Sequence, residues 1–108
     1  MARFEATTSV DGRRADVVLS GECDLSARED CMEALMSAVR AAPAVVVDLA
    51  GLTFLDSSGV HALVTAHRAA VEGGGWLSVV NAGGMVAHVL DITGVGGLLR
   101  AQDGARDG

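Results

Sequence analysis

Apolar positions along the chain switch repeatedly between the alternating pattern of strands and the three-to-four spacing of helices. Residues 2–9 alternate weakly, Asp11-Gly12 is a hairpin signal, and a second strand with Val17, Val18 and Leu19 at its centre follows at 15–20. Ser26-Ala27-Arg28-Glu29 has the form of a capping box, in which Ser26 caps a helix and Glu29 reaches back. Behind it Cys31, Leu35, Ala38, Val39 and Ala42 recur at helical spacing, Met32 and Met36 widen the stripe, and Pro43 stops it. Val45-Val46-Val47-Asp48-Leu49 is nearly continuous in apolar character, as a strand covered on both faces would be. After Leu52–Asp56 a second helix is predicted through Val60, Leu63, Val64, His67 and Val71, closed by Gly73-Gly74-Gly75. Trp76–Val80 reads as a strand and Met85, Val86, Val89 and Leu90 as a short helix ending at Gly94. A weak last strand is expected near 97–101, and the polar tail 103–108 is expected to fray.

The predicted order is β-β-α-β-α-β-α with a weak final β. Strands alternating with helices imply an α/β fold with a mostly parallel sheet and right-handed crossovers. The first strand, joined by a tight turn, becomes an antiparallel edge. At 108 residues the chain suits one domain, which can bury roughly two-thirds of its unfolded surface. A hydrophobic fraction of 50% against 20% charged residues excludes intrinsic disorder.

Charge narrows the partners. Fourteen acidic residues against eight basic ones, all arginine, leave a net charge of -6. Nucleic acid and anionic membrane surfaces, both of which reward clustered cations, are poor fits. Met-Ala-Arg-Phe-Glu-Ala has no apolar core, so no secretion signal is expected there, and no run reaches the roughly 20 apolar residues that cross a bilayer. Cys23 and Cys31 fit neither a disulfide framework nor a common metal spacing. The expectation is a cytoplasmic protein with free thiols, no cofactor and no metal, monomeric by default.

Chemistry concentrates in Phe54-Leu55-Asp56-Ser57-Ser58-Gly59-Val60, two hydroxyls and a carboxylate where a loop becomes a helix. Read plainly, this is a helix start, with good N-cap residues and a glycine that permits close packing. The same geometry suits regulation: a phosphate on an exposed serine here would meet backbone N–H groups that lack intrahelical partners. A serine hydrolase fits badly. Leu55 stands where the nucleophile elbow needs its first glycine, and His88 precedes Asp91, the reverse of the elbow's acid-then-histidine order. His61, His67 and His88 have no compact ligand spacing; His67 falls on the apolar stripe as a core histidine would, and His61 lies one turn past the serines. The glycines at 73–75 and at 94, 96 and 97 lack the strand-before, helix-after context of a nucleotide loop.

Gly21-Glu22-Cys23-Asp24, Val46-Val47-Asp48-Leu49, Phe54–Val60, the glycines before Trp76, and Leu90–Val95 together resemble a STAS domain, over about residues 15–99. More narrowly they resemble the bacterial anti-sigma factor antagonists. The resemblance implies a non-enzymatic protein that binds an anti-sigma factor which is also a serine kinase. That kinase phosphorylates the serine after the motif aspartate, ending binding, and a phosphoserine phosphatase reverses it. The implied acceptor is Ser57, with Asp56 as the motif aspartate, Asp24 in the loop nearby, and Ser58, Gly59 and His61 in the switch and partner-binding region. His61 stands where relatives often have a small residue, and Ser58 offers a second hydroxyl whose exclusion rests on the resemblance alone. The runner-up keeps the fold and changes the role, to a stand-alone STAS subunit of a membrane complex such as a lipid-trafficking ABC system; an acceptor serine favours the first reading.

Overall fold

A computed structural model describes residues 3–100. The elements are β1 (Glu5–Asp11), β2 (Arg14–Cys23), a 3-10 turn (Leu25–Ala27), α1 (Arg28–Ala41), β3 (Ala44–Leu55), α2 (Ser57–Glu72), β4 (Trp76–Val80), α3 (Gly84–Ile92) and α4 (Gly96–Arg100). The sheet order is β1-β2-β3-β4. β1 pairs with β2 antiparallel, from Glu5↔Ser20 to Asp11↔Arg14, while β2–β3 and β3–β4 are parallel. This is the expected mixed α/β architecture, with the antiparallel strand at the edge. The tail at 103–108 lies outside the described residues.

Alternation along β2 sends Ala15, Val17, Leu19 and Cys23 into the core and leaves Val18 exposed. In β3 the inward residues are Val45, Val47, Leu49, Leu52 and Leu55. Val46 and Asp48, on the alternate positions, are half-buried, so this strand is not sealed on both faces as its apolar run suggests. α1 buries Cys31, Leu35 and Ala38 and packs against β1, β2 and α2.

α2 differs from its predicted stripe. Val71 is exposed, and the buried face carries Ala62, Ala66 and Ala70 beside Val60, Leu63 and His67. Large apolar residues dominate a periodicity count, but alanines let one helix lie close against another, and the alanine row shares the buried face with Val60, Leu63 and His67.

Three further expectations are corrected. β3 continues to Leu55, absorbing odd residues in two irregularities opposite Val18/Ser20 and Gly21/Glu22. The Asp48 carboxylate accepts the Ala50 N–H (2.9 Å) at the first, and the Thr53 hydroxyl donates to the Gly21 carbonyl (3.1 Å) at the second. The capping box does not form. Ser26 sits inside the 3-10 turn, giving both its N–H and O–H to Asp24, and α1 starts at Arg28 with no side-chain cap. Asp24, earlier in the chain and a charged acceptor, captures those donors first. Finally, the last strand near 97–101 is replaced by α4, where the Leu99 N–H donates to the Val95 carbonyl at 2.9 Å. Gly94, at φ +78, turns the chain back so that Leu99 is buried, and α4 packs on β4 and α3. Two leucines in a row are too short a run to reveal a period.

Candidate functional site

The parallel pairing brings Cys23, the end of β2, beside Leu55, the end of β3. The chain leaves both strands through an aspartate. Asp24 and Asp56 adopt the same extended backbone, φ -115 and ψ -170, and each carboxylate caps the turn that follows. The Asp56 N–H donates to the Cys23 carbonyl (3.3 Å), which ties the two exits together.

Asp56 Oδ1 accepts the Ser58 N–H at 2.9 Å and the Gly59 N–H at 3.3 Å, and its carbonyl receives the Val60 N–H at 3.0 Å. Ser57 is the first residue of α2 and exposed; Ser58 is half-buried and Gly59 buried. The expectation that an anion at Ser57 would find free first-turn amides is therefore corrected: the amides of Ser58 and Gly59 are already held by Asp56. Asp24 Oδ1 accepts the Ser26 hydroxyl (2.7 Å) and N–H (3.1 Å). The Ser26 hydroxyl, then backbone N–H groups of the turn, hold the Asp24 carboxyl below its ordinary value.

Gly59 is required by close approach. A Cβ there would lie 2.7 Å from Cys23 Sγ and press on the Leu55 side chain. Gly21 has a different reason: its φ is +86, and a Cβ would run into the Arg3 carbonyl. Beneath the site, Cys23 and Cys31 are buried free thiols with no disulfide. The neighbouring Cys23 thiol, with burial, pushes the Cys31 thiol well above its usual range.

His61 is exposed, its Nε2 3.5 Å from the Thr65 hydroxyl. His67 is a core residue: its Nδ1–H donates to the Leu77 carbonyl at 2.9 Å, and its ring meets Trp76 edge-on. Ser57, Ser58 and His61 line a shallow cavity of about 240 Å³ together with Arg28. Sequence reasoning missed Arg28 as a site residue. Its one signal was a cation at the first position of a helix, where the dipole disfavours positive charge. Among the described residues no cluster of side chains could hold a metal ion, and no helix is long and apolar enough to cross a membrane.

A family described as "Mlab, STAS domain" matches residues 6–100. The chain belongs to the STAS family. This STAS chain has no significant match among curated proteins compared by sequence. Among solved structures it is similar to an anti-sigma factor antagonist from Mycobacterium paratuberculosis, with TM-score 0.77 and 24% identity over 86% of this chain and 80% of that one. It is also similar to the anti-sigma factor antagonist SpoIIAA in its unphosphorylated form, with TM-score 0.74 and 25% identity over 87% and 83%. The phosphorylated form of SpoIIAA, from Bacillus, shares the fold at TM-score 0.70 and 23% identity over 91% and 88%.

Proposed function

We propose that this chain is an anti-sigma factor antagonist, a single-domain cytoplasmic STAS protein without catalytic activity. It binds an anti-sigma factor that is also a serine kinase, is released when Ser57 is phosphorylated, and is restored by a phosphoserine phosphatase. The observation that carries the reading is Ser57 itself, exposed at the head of α2 immediately after the Asp56 cap. The likeness to SpoIIAA, a protein with both unphosphorylated and phosphorylated forms, supports it.

The electrostatics follow from that position. A phosphoserine adds about -1.5 to -2 charges at neutral pH, next to Asp56 and close to Asp24, on a chain already at -6. A partner surface fitted to a neutral hydroxyl must then pair or desolvate a dianion, which is costly. Ser57 is exposed, so nothing in the core need move, and unbinding without unfolding is the expected result.

The test is a pull-down from the native host with wild type, Ser57→Ala and Ser57→Asp as baits. An ATP-binding serine kinase should be recovered by the first two and lost with the third. The second reading, a subunit of a membrane transport complex, keeps the same fold. Recovery of a transporter ATPase by all three baits, indifferent to residue 57, would establish it instead.

A further inference from the structure

We infer that Arg28 is the internal counter-charge of this switch: when Ser57 carries a phosphate, the Arg28 guanidinium pairs with it across the cavity between the starts of α1 and α2. The inference rests on the reading of Ser57 as acceptor and adds what receives the charge. Four residues line that cavity, Arg28 from α1 and Ser57, Ser58 and His61 from α2, and none of them is acidic. Backbone amides are poorly placed for the task, because Asp56 already holds those of Ser58 and Gly59.

Arg28 is free to act. Among the described residues neither an ion pair nor a hydrogen bond engages the Arg28 side chain. Its position gives it no evident structural purpose either. It is the first residue of α1, is exposed, and stands at the end of the helix where the dipole opposes a cation. A guanidinium offers a planar fork of donors that matches phosphate oxygens, so one side chain can hold the group in a fixed orientation. Without Arg28 the phosphate would follow directly on the Asp56 carboxylate with no arginine in the cavity to offset it; with Arg28 it is held against the protein.

The experiment installs phosphoserine genetically at residue 57 of the full chain and follows its second ionisation by phosphorus NMR. Because the modification is built in, the result does not depend on which serine a kinase chooses; labelling of Ser57→Ala by the kinase tests that separately. Arg28→Gln should raise the phosphate's second pKa by roughly 0.2 to 0.7 of a unit, the size of effect an exposed ion pair has. Arg28→Lys, which keeps the charge, should stay nearer the wild type. A second pKa that is the same in wild type, Arg28→Gln and Arg28→Lys would overturn the inference. Moving the phosphoserine to residue 58 supplies the control for geometry: a larger Arg28 effect there than at 57 would also overturn it.

Discussion

Gly59 is the residue on which the head of α2 depends most directly. The Asp56 cap orients the first turn, but the turn can sit against β2 only because nothing projects from residue 59 toward Cys23 Sγ. Gly59→Ala should therefore destabilise the fold by about 1–3 kcal/mol, the usual cost of forcing an extra methyl into a packed site, despite alanine's better helix propensity. Urea denaturation would measure it; an unchanged midpoint would mean that Leu55 and Cys23 yield freely. The Asp-Ser-Ser-Gly segment was legible as a helix start because capping is a short-range property of a few adjacent residues. The engagement of the Ser58 and Gly59 amides by Asp56 was not, since the motif alone does not say which acceptor claims them. Asp24 shows the same limit: Ser26 looks like a cap until a better acceptor two positions earlier takes its donors.

At the scale of elements, α2 is pinned to β4 by His67. Its Nδ1–H reaches the Leu77 carbonyl, and its ring centroid stands 4.5 Å from that of Trp76 at 89°. Replacing it by an isosterically similar apolar residue keeps much of the packing and removes the bond. His67→Leu should cost about 1–2 kcal/mol, as a buried hydrogen bond lost from one side does. A shift in the urea midpoint with an unchanged slope is the expected signature. His67 was readable as a core residue from the apolar stripe, but its acceptor comes from the next strand and leaves no mark on local sequence. Periodicity was likewise a good guide to α1, where Cys31, Leu35 and Ala38 face inward. It failed for α4, because a five-residue helix completes little more than one turn. It also shortened β3, because two irregularities break the period-two pattern while the strand continues.

For the molecule as a whole, the two thiols report on the integrity of the core beneath the site. Cys23 and Cys31 are both fully buried, one on β2 and one on α1. Inert buried cysteines are the expectation where solvent and reagent are excluded. A disulfide reagent should leave the native protein unmodified and titrate two thiols per chain in guanidinium. Rapid native-state labelling would mean that the α1–β2 contact opens far more readily than the rest of the core. The acidic surface belongs to this scale as well: at a net charge of -6, any added phosphate works against the whole field unless a local cation offsets it.

Legible in the sequence were the succession of strands and helices as far as α3, the antiparallel first hairpin, and the serine pair at the head of α2. All of these follow from local patterns: apolar period, turn residues and caps. Only the packed fold decided that Arg28 shares a cavity with Ser57, that Cys23 neighbours Cys31, and that the alanines of α2 share its buried face. The reason is physical. Parallel pairing of β2 and β3 brings the starts of α1 and α2 to the same end of the sheet, so residues far apart in the chain become neighbours through a register that no local propensity encodes.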